Sequence, residues 1–339
     1  MVNSPKYTIG MVSSYTGLNP RPVDWLWNQT PHALGQWGNI QLNARSPHPD
    51  VLLLYQYNFD SPVFSPPDSN RSSHLTRSNL WPFRHRSSSK APTPEQPAID
   101  AVLQQVPKER ILSLTREPPL DEIIEKQNHH YQTAQNHCGF VAGPADFAPT
   151  PDYMPAIWYV KASFRELDTL DAPPKARMCS WITSGISRTE NHRKRLAFMQ
   201  QLVENSVDVD LFGRDLPDWA KGGGEVSNKW HVMAPYYYNL AIENYADNAW
   251  YASEKLWDSL LAWCLPIYYG GSAADTLLPE GSFVRLPSLD EAGLAYIRDI
   301  TSTPDAWHER KGAIAEARQI ILHKLNLMNW LSEYVNQWG

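Results

Sequence analysis

From residue 178 onward the chain alternates short apolar runs with helical patterns, and this alternation constrains the fold more than any other feature. MCSWIT (178–183) reads as a strand, residues 190–204 set Leu196, Met199, Leu202 and Val203 at helical spacing, and VDVDLF (207–212) alternates apolar with polar. YNLAIE (238–243) follows, then a helix over EKLWDSLLAWC (254–264) ended by Pro266, PIYY (266–269) entering Gly270-Gly271, and SFVRL (282–286). Residues 304–338 are helical in pattern, finishing the domain or packing back across a cleft. Repeated strand–helix–strand units specify a parallel sheet with right-handed crossovers. Ligands of such sheets bind beyond the carboxyl ends of the strands.

The first half has the same ingredients, less regularly. Residues 9–15 (IGMVSSY) read as a strand, and the stretch from Trp25 and Trp27 to Ile40 as a helix or an aromatic-anchored loop. VLLLYQY (51–57) has the continuous apolar character of a strand covered on both faces. Residues 65–97 are rich in Ser and Pro, with Arg71, Arg77, Arg84, Arg86 and Lys90 interspersed, a composition that buries too little to order itself. We expect a long solvated loop there rather than a cationic lid. A short helix at 99–106 and strands at 111–114 (ILSL) and 156–160 (AIWYV) come next, before Pro173-Pro174. Two domains are therefore expected, at 1–170 and 171–339, each α/β and facing the other across a cleft.

With 339 residues and a net charge of −6, the chain is long enough for two cores and too acidic for a general nucleic-acid binder. The three cysteines, Cys138, Cys179 and Cys264, are odd in number and widely spaced, as in a reducing compartment. No apolar run approaches the ~20 residues that span a bilayer. Residues 1–11 hold Lys6 but no long apolar stretch, so a cytoplasmic chain without a signal peptide is expected, with at most peripheral membrane contact.

Ser253 is a good N-cap for the helix at 254, which puts Lys255 in a first turn whose free N–H groups are already positive. Either a bound phosphate shares that site or Lys255 pairs with Glu254 or Glu243. Arg195 and Arg214 lie in successive βα units near strand ends, where a guanidinium can grip a diphosphate. Lys221-Gly222-Gly223-Gly224 lacks the ending and context of a Walker loop. Asp208 and Asp210 alternate within a strand and read as structural, not metal-binding, and His129, His130 and His137 beside Cys138 match no closed zinc pattern. Glu117 ends a strand of the first half and precedes two prolines, which makes it the best general-base candidate, against an ordinary exposed loop glutamate.

These residues occur in a recognisable order. SWITS with Arg195 downstream, VDLFGR, NLAIEN, YASEKLWDSLLAWCLPIYYGG and LPEGSFVRL resemble, over 178–290, the family 10 glycosyltransferases, the α1,3/1,4-fucosyltransferases. In the first half the resemblance rests on Arg116-Glu117-Pro118-Pro119, whose family counterpart is Glu-Ser-Pro. Pro118 replaces that serine, and Ile242 replaces a phenylalanine before Glu243-Asn244.

The resemblance implies a GT-B architecture, two Rossmann-like domains with parallel sheets, and an inverting enzyme of glycan or surface-polysaccharide synthesis. It implies transfer of L-fucose from GDP-β-L-fucose to a glycan hydroxyl in α1,3 linkage, with no bound cofactor and no required metal. Glu117 would be the base. Arg195 and Lys255 would hold the diphosphate, and Asn244, Tyr251 and Glu254 would contact nucleotide or fucose, with Glu243 and Arg214 on the same donor wall. Two alternatives remain: the same fold with another nucleotide sugar, or a glycan-binding protein without catalysis. Neither the acceptor nor the oligomeric state is fixed by these residues, and Trp25, Trp27 and Trp81 are candidates for an acceptor surface.

Overall fold

The computed structural model of the chain describes residues 5–13, 22–44, 46–59, 103 and 105–338. The 65–97 segment, Trp81 and residues 99–102 and 104 of the expected helix lie outside the described residues.

Two sheets organise the rest. The first holds β1 (Tyr7–Val12), β2 (Gln36–Trp37), β3 (Ile40–Leu42), β4 (Val51–Tyr55), β5 (Ile111–Leu114), β6 (Phe140–Gly143) and β7 (Thr150–Pro151). Their order is β2-β3-β1-β4-β5-β6-β7, parallel throughout except for β2 against β3. The second holds β8 (Arg177–Ser184), β9 (Asp210–Arg214), β10 (Tyr236–Ile242), β11 (Leu265–Tyr269) and β12 (Val284–Arg285), wholly parallel in the order β12-β11-β10-β8-β9. This is the expected α/β class with two parallel-sheet regions.

The elements follow from their residues. All of β4 is buried, as its unbroken apolar run requires. The helix Glu190–Glu204 starts where the Thr189 hydroxyl accepts the His192 N–H, and it buries Phe198, Met199 and Leu202 against the second sheet. The helix Glu254–Leu261 is capped by Ser253 and buries Leu256, Trp257, Leu260 and Leu261. It ends three residues short of the expected 264, because Trp263 takes a left-handed φ of 60° and turns the chain into β11.

Two further expectations are corrected, and one helix was not foreseen. β9 begins at Asp210 rather than 207, since Ser206, at φ 51°, closes the preceding turn. Residues 156–160 are buried, Tyr159 only partly, but form no strand beyond a bridge from Ala156 to Asn326. The Ala156 N–H goes to the Leu325 carbonyl, and three others go to side chains: Trp158 donates to Gln29, and Tyr159 and Val160 to Asp258. The helix Ile124–His137 has no clear apolar stripe, burying only Gln127, Tyr131 and Ala134, and it stands where the histidines alone had drawn notice.

The C-terminal segment joins both cores. The helix Asp305–Ile320 packs Trp307, Ile314 and Ala317 into the second core. After the π-turn Ile321–Leu325, Asn326 donates to the Gln29 carbonyl at 2.9 Å and accepts the Met328 N–H at 2.9 Å. The helix Leu327–Asn336 then sets Leu327, Met328, Leu331 and Val335 against Ile9, Ile40 and Leu53 of the first core. No described helix is long and apolar enough to cross a membrane.

Candidate active site between the two sheets

β8 has β9 on one side and β10 on the other, so the connections after β8 (to β9) and after β10 (to β11) leave in opposite directions and open a crevice between the carboxyl ends of β8 and β10. Arg195 fills that switch point. Only 3% exposed, it donates through Nη2 to the Ser184 carbonyl at the end of β8 (2.8 Å) and through Nη1 to Asn244 Oδ1 just past β10. Its Nε is buried without a hydrogen-bond partner. Burial pushes the guanidinium down to about 10, so it stays cationic at neutral pH. One turn earlier, His192 pairs with the Thr189 hydroxyl. Burial, then the charges of Arg195 and Lys255, push its imidazole down to about 4, leaving it neutral at pH 7.

Beside this, Glu243 is 2% exposed and organises the start of the next helix. Its carboxylate accepts the Ser253 N–H (2.8 Å), the Ser253 hydroxyl (2.7 Å) and the Lys255 ammonium (2.9 Å). The sequence left open whether Lys255 pairs with an acid or holds an anion; it pairs with Glu243 while remaining in the positive first turn. Glu254 points the other way, to Arg116 of the first sheet at 2.8 Å. Burial opposes its ionisation, but Lys255, Arg116 and Lys229 outweigh that and hold it down at about 2. Tyr251 is buried, with its phenol pushed far above the ordinary value by burial, and lines a crevice with Tyr55, Arg116, Glu254 and Trp257.

The opposite wall is the loop after β5. Gln56 Oε1 accepts the N–H groups of Arg116 (2.8 Å) and Glu117 (3.3 Å), and Gln127 Nε2 donates to the Glu117 carbonyl (2.8 Å). Pro118 and Pro119 are buried behind it. Glu117 faces an open recess of about 220 Å³, with Tyr57, Thr115, Gln127 and His130 on its walls.

The structure thus brings Arg195, Asn244, Glu243, Tyr251, Glu254 and Lys255 onto one wall, with the Glu117 loop tied to it through Arg116. Arg214 is not part of the group: it ends an edge strand, exposed, and pairs with Asp215 at 3.3 Å. Trp25 packs on Tyr159 and Trp27 donates to the Leu42 carbonyl, so both serve the first core. Asp210 accepts from Arg177 and Tyr236, a structural pairing. His130 and His137 lie against Phe59, and no three His, Cys, Asp or Glu side chains among the described residues group as a metal would need. Sequence reasoning missed Gln56, Tyr159, His192, Lys229 and Asp258. Only His192 had a local signal, one helical turn before Arg195.

Comparison with known proteins bears on this wall. Residues 172–308 match the family described as glycosyltransferase family 10 (fucosyltransferase) C-term. Alpha-(1,3)-fucosyltransferase 4 of Homo sapiens and of Pan troglodytes are each 31% identical to the chain over 124 residues, 36% of this chain and 22% of theirs. The chain thus aligns with about a fifth of the length of these relatives. Among solved structures, an alpha-glucosyltransferase in complex with UDP is similar in fold, with TM-score 0.50 at 7% identity, over 98% of this chain and 99% of that one. An alpha1,3-fucosyltransferase crystal structure covers 91% of this chain and 82% of its own, with 16% identity and TM-score 0.43.

Proposed function

We propose that this chain, whose residues 172–308 carry the family 10 fucosyltransferase C-terminal domain, transfers L-fucose from GDP-β-L-fucose to a glycan hydroxyl in α1,3 linkage with inversion. The unit at 171–339 takes the donor and the unit at 1–170 the acceptor. Arg195, Lys255 and the first-turn N–H groups of the helix Glu254–Leu261 hold the diphosphate and stabilise the charge that grows on departing GDP. Asn244, Tyr251 and Glu254 contact nucleotide or fucose, and Glu243 orients Ser253 and Lys255. Glu117 takes the proton of the acceptor hydroxyl as its oxygen attacks the anomeric carbon from the face opposite GDP. With two cations on the leaving group, the proposed mechanism draws on no metal. The buried cysteines, all free, fit a cytoplasmic enzyme of surface-glycan synthesis.

One observation carries the reading: the 2.8 Å ion pair from Arg116 to Glu254 ties the residue before the candidate base to the first turn that bears the family's donor pattern. Glu117→Gln tests it. GDP binding, measured by calorimetry, is expected to stay unchanged while fucosyl transfer falls about 100- to 10,000-fold, the range of a positioned base. Near-normal turnover in that variant removes Glu117 from the chemistry.

A further inference from the structure

The sequence marks Arg116 only as a cation next to Glu117; the structure gives it a larger share of the cleft. Its guanidinium is a two-pronged tie. Nη1 donates to the Tyr159 hydroxyl at 2.6 Å, and Nη2 to Glu254 Oε2 at 2.8 Å. The plane lies near the rings of Tyr55 (6.0 Å) and Tyr159 (5.6 Å), and only 10% of the side chain is exposed. A fork held at both prongs between rings has little rotational freedom left.

Each of those contacts is itself anchored to the second sheet. The Tyr159 N–H donates to Asp258 Oδ1 at 2.8 Å, four residues along the helix from Glu254. Asp258 is 1% exposed and accepts the Lys229 ammonium at 2.6 Å, and that ammonium lies 5.4 Å from the centre of the Tyr159 ring. Both prongs of Arg116 therefore end on one rigid body, the helix Glu254–Leu261. On its other side, the Arg116 backbone shares the Gln56 oxygen with the Glu117 backbone.

We propose that Arg116 is a positioning residue: it fixes the height and tilt of the Glu117 loop relative to the helix that carries the donor, so that base and anomeric carbon keep one separation. The inference rests on the fucosyl-transfer reading of the same cleft. A base displaced by about 1 Å loses roughly 100-fold in rate without any change in how tightly the leaving group is held. The cations proposed for the diphosphate are held by other groups, Arg195 by Asn244 and Ser184 and Lys255 by Glu243, so GDP affinity, unlike affinity for the sugar that Glu254 would meet, is separable from base placement.

The test uses the full chain, GDP binding by calorimetry, and GDP release from GDP-fucose with N-acetyllactosamine and with water alone. In Arg116→Gln, kcat is expected to fall about 100-fold with the GDP Kd within about twofold of wild type. Tyr159→Phe keeps the ring and the ion pair but loses one prong, and a smaller fall of about tenfold is expected there. Arg116→Lys keeps a cation for Glu254 and is expected to recover part of the loss. Because Arg116 acts through Glu117, the Arg116→Gln/Glu117→Gln double variant should be no slower than Glu117→Gln alone. Multiplicative losses in the double variant overturn the proposal, as does a GDP affinity that falls in step with kcat. A wild-type chain that binds GDP yet releases none from GDP-fucose overturns the fucosyl-transfer reading, and the positioning role with it.

Discussion

On the second-sheet wall, charged groups are held by charged and polar partners: Glu243 by Ser253 and Lys255, Arg195 by Asn244 and Ser184, Asp258 by Lys229. On the first-sheet wall Glu117 is fixed through its backbone, by Gln56 and Gln127, and lines an open recess. A wall built from buried charges with fixed partners holds its shape before any ligand arrives. A wall built from a loop depends on what braces it. The comparison predicts that substitutions on the first kind of wall show in affinity and stability, and on the second in rate.

Arg195→Ala challenges the second-sheet wall hardest. It strips a buried cation from the switch point and leaves Asn244 and the Ser184 carbonyl facing each other without it. GDP affinity is expected to fall about 100-fold, the equivalent of losing charge-assisted hydrogen bonds worth up to ~3 kcal/mol. Calorimetry with an unchanged Kd would take Arg195 out of the nucleotide site.

Glu243→Gln is gentler, keeping the shape and an acceptor for Ser253 while removing the charge that Lys255 pairs with. Denaturant unfolding should report a loss of ~1.5–3 kcal/mol, as for a hydrogen bond to a charged group. If stability is unchanged, the buried pair contributes nothing and the wall is held by packing alone.

The smallest effect is a pH dependence confined to the same wall. The folded chain binds the His192 proton less tightly than the unfolded chain, with about 4 against an ordinary 6.5. Stability from this group is therefore complete above 6.5 and falls as pH drops towards about 4. Glu254, held at about 2 against an ordinary 4.5, extends the loss from about 4.5 downward. Urea midpoints followed from pH 7 to 4 should flatten in His192→Asn; a slope identical to wild type would assign the titration elsewhere.

The same contrast explains what could be read from the chain. The second-sheet wall is local in sequence: Glu243, Asn244, Tyr251, Ser253, Glu254 and Lys255 fall within one strand–loop–helix passage, and a helix cap makes the role of Ser253 legible without coordinates. The boundaries of Ile111–Leu114 and Glu190–Glu204 were equally plain, since one is a short, mostly apolar run and the other a capped, periodic helix. The first-sheet wall gathers Gln56, Arg116, Gln127 and Tyr159 from four separate segments. No short-range pattern marks a glutamine whose side chain serves two backbone N–H groups sixty residues away. Residues 156–160 misled for a related reason: they are apolar enough for a strand, but side chains from distant segments had taken three of their N–H groups. Arg214 misled because a position at a strand end fixes where a backbone lies, not where a long side chain goes.

The return of the last helix beneath the first sheet has a consequence for biosynthesis. Ile9, Ile40 and Leu53 leave the ribosome long before Leu327, Met328, Leu331 and Val335, which cover them. Sequential domain-by-domain maturation, the common route for a chain of this size, is therefore closed to the amino-terminal unit. Its apolar underside stays uncovered until the helix Leu327–Asn336 emerges and Asn326 docks on the Gln29 carbonyl. A chain stopped before Asn326 would complete its second sheet and leave the first one sticky.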